Sequence, residues 1–306
     1  RERIKKERKF LRASATYPGG VPTIVETSGD APAGMGTEVV ADGGVPIEFS
    51  GLDPYRKWEL ANVVRGRANG TVSAYAHAKL GDITTVRFRQ LADIQREFDV
   101  EIRITNRQNF VLRGLTDDQL APLYGRLVEA DMHRAGAGMA RDVVSCPGAD
   151  TCNLAVTQSR GLAHDIDRAL DEAGLAEVGG VRVNISGCTN SCGQHHISDI
   201  GFMGFERRAH GRAAPGYQML LGGRVGQMEV QFGEKATKLP AKTASEAVVR
   251  VVGRFAGERT AGETFRDWLD RSGGASTVGT KLKCVDFFPT PEENPDFYVH
   301  FDATGP

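Results

Sequence analysis

The sequence lacks the features that mark several large protein classes. No apolar run approaches the ~20 residues of a membrane-spanning helix, and a formal net charge of −1 gives no sign of a nucleic-acid partner. No G-x-G-x-x-G motif joins a strand pattern to a helix pattern, so the usual fingerprint of a flavin or nicotinamide site is missing. Five cysteines, an odd number, and no signal peptide argue against a disulfide framework. We therefore expect a cytoplasmic protein that contacts neither nucleic acid nor membrane.

What the sequence does have is two tight groups of cysteines. Cys146 and Cys152 enclose five residues, and Cys188 and Cys192 enclose three. Four thiols in two short segments are typical of a soft metal centre. The fifth, Cys284, stands alone and is interpreted as a buried or incidental thiol.

The segment between the two cysteine groups has the pattern of a helix followed by a strand. Apolar residues at helical spacing predict a helix that begins close to Cys152 and ends at Gly174. Residues 181–185 then alternate between apolar and polar, as a strand does. The second cysteine pair would lie on the loop after this strand, and the helix N-terminus would favour negatively charged sulfur.

From the residues alone, three interpretations of the cysteines are open: structural zinc, two disulfides, or an iron–sulfur cluster. Zinc sites of four cysteines usually come as two short-spaced pairs on small knuckles, whereas a helix and a strand intervene here. The odd cysteine count weakens the disulfide interpretation. The spacing favours a four-cysteine cluster.

Two longer motifs around the cysteines resemble a known family. C-P-G-A-D-T-C-N-L-A from Cys146 and N-I-S-G-C-T-N-S-C-G-Q-H-H-I-S-D-I-G-F around Cys188 resemble the cluster and haem signature of the sirohaem-containing nitrite and sulfite reductases. The resemblance implies that Cys146, Cys152, Cys188 and Cys192 bind a 4Fe–4S cluster, and that Cys192 also ligates the sirohaem iron. It also implies a sirohaem contact for Asn190, whose plainer interpretation is a turn cap.

A dense polar run over 105–109 interrupts two apolar strand segments. By itself the run predicts a hairpin turn. The family carries T-x-x-Q-N at the matching place, and the resemblance implies that Arg107, Gln108 and Asn109 reach sirohaem carboxylates. Sirohaem has eight carboxylates, so a chain that binds it needs convergent cations and amides.

Other charged residues receive plainer interpretations. His195 and His196 are expected to pack or hydrogen-bond near the cluster loop and not to ligate metal. Several arginines could face carboxylates but are as well explained as surface charges, and three of them as a solvated hairpin tip: Arg103, Arg113, Arg207, Arg208 and Arg212.

The predicted fold class is α+β, with a ferredoxin-like half-domain followed by a mixed α/β cluster-binding domain. We expect a basic start and extended linker over 1–57, the ferredoxin-like repeat over 58–137, and the 4Fe–4S and sirohaem-binding domain over 138–306. Within the repeat, alternating patterns predict a βαββαβ-like set of elements. Residues 244–271 predict one or two amphipathic helices, and the stretch from Gly273 onward is expected to be loop-rich.

The resemblance implies a six-electron reduction of nitrite to ammonia or of sulfite to sulfide, with ferredoxin or a similar one-electron donor. It implies that this chain is the C-terminal half of the enzyme, and that the catalytic residues on the distal face of the haem belong to an N-terminal half. Two other classes stay open. One is an iron–sulfur electron-transfer or assembly subunit without sirohaem, and the other is a structural zinc protein.

Overall fold

The computed structural model describes residues 51–66, 71–225 and 230–301. The predicted basic start and most of the predicted linker lie outside these ranges. Helix α1 (Pro54–Asn62) begins inside the segment predicted as linker, because Asp53 accepts a hydrogen bond from the backbone of Arg56 at 3.1 Å and proline occupies the first turn. No helix in the described ranges is both long and apolar enough to cross a bilayer.

The first sheet and its helices bury one of two main hydrophobic cores. After α1 come β1 (Val63–Arg65), β2 (Val72–Ala76), α2 (Thr85–Phe98), β3 (Glu101–Ile104), β4 (Phe110–Leu115) and α3 (Leu120–Glu129). The strands lie in the order β1-β2-β4-β3, with every pair antiparallel. The first five elements of the predicted βαββαβ set are found as β2, α2, β3, β4 and α3, whereas α1 and β1 were not predicted. The predicted last strand is not part of this sheet.

The second sheet carries the cysteine groups. Its elements are β5 (Val144–Ser145), α4 (Ser159–Glu172), β6 (Val183–Ser186), β7 (Ile200–Ala209), β8 (Arg212–Leu221) and β11 (Glu234–Pro240). The strand order is β11-β8-β7-β6-β5; β5, β6 and β7 run parallel and the rest antiparallel. A small ribbon, β9 (Arg224–Val225) with β10 (Val230–Gln231), and the helices α5 (Ala244–Glu258), α6 (Phe265–Arg271) and α7 (Gly274–Thr280) complete it.

Two expectations about this region need correction. The helix after the first cysteine pair begins at Ser159, seven residues beyond Cys152. The intervening backbone is tied elsewhere: Cys152 donates to the carbonyl of Gly148 at 3.0 Å, and residue 156 donates to the carbonyl of Gly187 at 2.9 Å. The region after Gly273 is also not only loop, since α7 packs its apolar residues into the core.

A short loop of the first sheet docks into the core of the second. The turn Lys79–Gly81 places Leu80, 5% exposed, among core residues of the cysteine-bearing part. The Leu80 carbonyl accepts a hydrogen bond from Arg160 at 3.5 Å, and Lys79 pairs with Asp167 at 2.7 Å. Leu80 holds a left-handed backbone, φ 53°, which packing must stabilise. The described residues therefore belong to one compact unit.

Replacing Leu80 by alanine should lower the free energy of unfolding by about 2–4 kcal/mol, because it removes a buried side chain that joins the two sheets. Denaturant titration followed by circular dichroism measures this change. The matched control is Leu154→Ala, since Leu154 is 70% exposed and its truncation should cost less than about 0.5 kcal/mol. Equal effects of the two variants would show that Leu80 does not join the sheets.

Candidate functional site

The two cysteine groups meet because they follow neighbouring parallel strands. In the register of β5 and β6, Val144 lies beside Asn184 and Ser145 beside Ile185. Cys146 comes directly after β5, and its backbone N–H donates to the carbonyl of Ile185 at 3.1 Å. Carboxyl ends of parallel strands share one edge of a sheet, where crevices for ligands form. The local strand pattern therefore brings both cysteine loops to the same edge.

Cys146 is the best enclosed of the four thiols. It is 8% exposed, and its sulfur accepts a hydrogen bond from the backbone N–H of Gly187 at 3.2 Å. The hydroxyl of Ser159, the first residue of α4, lies 3.2 Å from the same sulfur. A backbone donor and a helix N-terminus together stabilise negative charge on sulfur. The helix start expected at Cys152 is thus found beside Cys146.

The other three thiols are more exposed than Cys146. Cys152 and Cys188 are half-buried, Cys192 is exposed, and all are free. Across the described ranges, no three His, Cys, Asp or Glu side chains converge closely enough to hold one metal ion. The cysteine groups are instead related by the neighbouring parallel strands that their loops follow.

Glycines let the loops approach one another at backbone distance. A Cβ on Gly193 would lie 2.0 Å from the carbonyl oxygen of Ile185, and one on Gly187 would lie 2.7 Å from that of Thr157. Side chains at these positions would push the cysteine loops off the sheet edge. The backbones of the two cysteine loops therefore pack directly against neighbouring main chain.

The loop that carries Cys192 is held in an unusual conformation. Ser191 and Gln194 have left-handed φ values of 60° and 57°, which non-glycine residues adopt at a cost. The Ser191 hydroxyl lies 2.9 Å from Nδ1 of His196 and so supports the turn. Asn190, predicted to contact sirohaem, is exposed on this loop beside Cys192.

His195 is fully buried and stacks on His196 with ring centroids 4.0 Å apart. Neither ring nitrogen of His195 has a protein partner. Burial, with a smaller contribution from His196, lowers the pKa of His195 to about 4. The imidazole is therefore neutral at physiological pH and does not supply a cation to the site.

Two of the three predicted carboxylate-binding residues of the polar turn contact Asp142, four residues before Cys146. Arg107 donates through Nε to Oδ2 of Asp142 at 2.7 Å and through Nη2 to its carbonyl oxygen at 2.5 Å. Asn109 donates to Oδ1 of Asp142 at 2.8 Å and accepts from the backbone of Ala78 at 3.0 Å. Asn109 thus uses both polar atoms inside the protein, which leaves Arg107 as the residue with donors to spare.

Burial of the Asp142 carboxylate would by itself raise its pKa. The charge of Arg107, the field of His77 and the hydrogen bonds from Arg107 and the backbone of Gly138 act in the opposite direction, and the net pKa lies below the ordinary value. The carboxylate therefore stays ionised while buried. It connects the polar turn of the first sheet to β5 and hence to Cys146.

Gln108 also reaches toward the cysteine edge. Its backbone is left-handed, φ 63°, and its Nε2 donates to the carbonyl of Ser145 at 2.9 Å. Its Oε1 is buried without a partner, as are Oγ of Ser145 and Oδ1 of Asn184. Buried polar atoms nearly always have partners, so a water or a bound group is expected at each of these atoms.

A polar pocket of about 470 Å³, counting its open mouth, lies between the polar turn and the Cys192 loop. Arg107 and Gln194 belong to its wall, as does Arg182, which the sequence reasoning missed. Arg182 pairs with Asp199 at 2.9 Å. Arg182 lies directly before β6, a position that has no distinctive spacing in the sequence. The residues that line the pocket are Asn106, Arg107, Val144, Arg182, Asn184, Gln194, Ile197, Ser198 and Val225.

The remaining arginines stay on the surface. Arg103 and Arg113 both pair with Glu101. Arg207, Arg208 and Arg212 are exposed at the β7–β8 hairpin tip, as the plainer interpretation predicts, and two of them stack on Phe288 and Tyr298. Cys284 is exposed, so the expectation of a buried thiol is wrong and the interpretation as an incidental thiol is left.

Comparison with known proteins places this geometry in a family. Residues 136–276 match the nitrite and sulphite reductase 4Fe-4S domain, and residues 65–130 match the nitrite/sulfite reductase ferredoxin-like half domain. The chain belongs to the nitrite and sulfite reductase family. This confirms the predicted resemblance and the α+β fold class.

Individual relatives include both nitrite and sulfite reductases. The chain is 35% identical to a ferredoxin–nitrite reductase of Synechococcus elongatus over 161 residues, 52% of this chain and 31% of that protein. It is 30% identical to an assimilatory ferredoxin-dependent nitrite reductase of Haloferax mediterranei over 220 residues, 69% and 36% of the two chains. It is 30% identical to a ferredoxin sulfite reductase of Mycobacterium tuberculosis over 178 residues, 56% and 32%. The chain thus spans about a third of these relatives.

Two solved structures share the fold. The NirA protein of Mycobacterium tuberculosis superimposes with a TM-score of 0.58 at 28% identity, over 69% of this chain and 40% of that one. A dissimilatory sulfite reductase I superimposes with a TM-score of 0.58 at 12% identity, over 78% of this chain and 80% of that one. The second likeness shows the fold alone.

Asp142→Asn should lower the free energy of unfolding by about 3 kcal/mol near neutral pH, because it leaves Arg107 without its buried partner. The folded-state pKa of Asp142 lies below its ordinary 3.8, so this contribution is present above that value and is lost as the pH falls through the lower folded-state pKa. The difference between the two proteins should stay constant from about pH 7 to 5 and shrink below about 4. Urea titrations across pH measure it.

The control for this pair is Asp118→Asn, which changes an exposed carboxylate and should alter stability by less than about 0.5 kcal/mol. A difference between wild type and Asp142→Asn that widens toward low pH would contradict the assigned direction of the pKa shift.

Proposed function

We propose that this chain is the C-terminal, cofactor-bearing half of a reductase that converts nitrite to ammonia or sulfite to sulfide by six-electron transfer. The observation that carries the proposal is the meeting of two cysteine pairs at the ends of β5 and β6, within the segment that matches a 4Fe–4S domain. The names of the relatives include both substrates and a ferredoxin donor. We therefore propose ferredoxin, or a similar one-electron carrier, as the partner.

The residues present fit a 4Fe–4S cluster. The ligands would be Cys146, Cys152, Cys188 and Cys192, held by glycine-lined loops that leave room at backbone distance. The N–H of Gly187 stabilises the charge on the most buried sulfur. A cluster tolerates one solvent-facing ligand, and Cys192 is the exposed one of the four.

The residues also fit sirohaem beside the cluster. Cys192 would be the ligand shared with its iron, because it is presented outward on the strained loop 191–194. Arg107 and Asn184 line the pocket next to this loop, and Oδ1 of Asn184 is buried there without a protein partner. Gln108 and Asn190 stay candidates that the family resemblance implies. When bound, the two groups supply one-electron storage and an iron at which substrate is reduced.

Side chains of this chain hold the polar turn beside the cysteine loops and keep a further charge out of the site. Asp142 orients Arg107, and the amide of Gln108 ties the polar turn to Ser145, so the turn cannot swing away from the cysteine edge. His195 is neutral and buried, which keeps a further charge out of the loop. Residues that hold the substrate anion and deliver protons are expected in an N-terminal half, since the relatives are about three times longer than the matched segment. The cytoplasmic location stays a prediction.

The two alternatives left open by the sequence are weaker. A structural zinc protein is not favoured, because the segment that holds all four cysteines matches a 4Fe-4S domain. An electron-transfer subunit without haem is not favoured, because both family models and the relatives' names belong to the reductases.

Purified anaerobically from a host that makes sirohaem, the chain should contain about five iron atoms and about four acid-labile sulfides per molecule, with a haem-type absorption band in the red. Iron, sulfide and extracted tetrapyrrole are measured on one sample. Iron and sulfide without tetrapyrrole would favour the electron-transfer subunit, and zinc without iron would reject the proposal.

Cys192→Ser should lose sirohaem as well as cluster, because one sulfur would serve both. Cys284→Ser is the matched control, since Cys284 is an exposed free thiol elsewhere in the chain, and it should retain both groups. Absorption spectra and iron and sulfide content report the outcome. Retention of sirohaem and cluster by Cys192→Ser would reject the shared ligand.

A further inference from the structure

We propose that Arg182, together with Arg107, binds a carboxylate side chain of the tetrapyrrole in the pocket between the polar turn and the Cys192 loop. The assignment rests on the proposed function and adds a residue to it. The two guanidinium groups come from different elements, Arg107 from the β3–β4 turn and Arg182 from the start of β6, and both line the same pocket.

Arg182 is pre-oriented by a buried acidic partner. Its Nε donates to Oδ2 of Asp199 at 2.9 Å, and its backbone N–H donates to the same oxygen at 2.9 Å. Nη2 makes only a long contact, 3.4 Å, with the carbonyl of Gly223. A guanidinium carries five N–H donors in a planar fork. The contacts with Asp199 and Gly223 use Nε and Nη2, so Nη1 of Arg182 is available to a ligand.

Arg107 is held by a buried acidic partner in the same way as Arg182. Asp142 takes up Nε and Nη2 through its side chain and carbonyl. The side chains of Arg107 and Arg182 are 14% and 12% exposed, and their acidic partners are 4% and 10% exposed. Cations fixed in this way lose little conformational freedom when they bind, which strengthens a bidentate contact with a carboxylate.

The rest of the lining suits an anion that carries water. Among the described residues that form the wall, none is acidic. Asn184 is 6% exposed and fixed by its Nδ2, which donates to the carbonyl of Gly193 at 2.9 Å. Its Oδ1 has no protein partner and needs a donor, which a water bridging to a carboxylate provides. The pocket therefore fits a hydrated carboxylate arm better than an apolar group.

The test uses the full chain made in a host without sirohaem, so that it carries its cluster but no tetrapyrrole. Sirohaem is titrated into it and followed by the haem absorption, alongside cluster content from iron and sulfide. Arg182→Gln should weaken sirohaem binding by about ten- to a hundredfold, the effect of losing charge-assisted hydrogen bonds, with cluster content unchanged. Arg182→Lys, which keeps the charge but not the fork, should weaken it less. Arg208→Gln is the matched control, because Arg208 is exposed at the hairpin tip, and it should bind as the wild type does.

Each outcome decides the assignment. Wild-type affinity in both Arg182 variants overturns it and leaves the proposed function standing. A wild-type chain that takes up no sirohaem overturns both. Titration with sulfite, nitrite and sulfate tests a small-anion site: loss of such binding in Arg182→Gln, with sirohaem affinity unchanged, also overturns the assignment. If Arg182→Gln fails to fold by circular dichroism, the Arg182→Lys titration decides, and unchanged affinity there overturns it.

Discussion

The ionised carboxylate of Asp142, buried between the two sheets, is the contact on which the site depends. It accepts from Arg107 and Asn109 of the polar turn and from the backbone of Gly138. A buried charge costs several kcal/mol unless it is paired and hydrogen-bonded, so these donors and this acceptor must stay together. Because Asp142 lies four residues before Cys146, the same contact sets where the first cysteine loop leaves the sheet.

Packing adds a second constraint to this electrostatic one. Leu80 carries the first sheet into the core of the second, and Arg160, in the first turn of α4, bonds to its carbonyl. The neighbouring residue Ser159 touches the sulfur of Cys146. The half-domain, the helix and the cysteine loop thus share one interface. A change at any of the three is expected to move the loops that carry the cysteines. In this way a ferredoxin-like half-domain that contains no cysteine can influence the geometry of the cluster site.

Particular residues show how far sequence reasoning reached. The cysteine spacing, the strand before Cys188 and the amphipathic helix ending at Gly174 were predictable because each depends on near neighbours in the chain. The helix start was misplaced by seven residues, since long-range hydrogen bonds to Gly187 override the local pattern. Arg107 was found through the T-x-x-Q-N motif. Arg182 was not, because an arginine on a strand flank has no distinctive spacing.

Residue order alone was therefore enough for the family, the α+β class and the polar turn, since motifs and periodicity are local properties. It could not say that Arg107 and Arg182 face one pocket, or that Asn109 turns inward to Asp142. Those pairings join residues 33 to 75 positions apart, and their partners are chosen by burial and charge compensation once two sheets pack. Folding, not spacing, decides which donors remain free for a ligand.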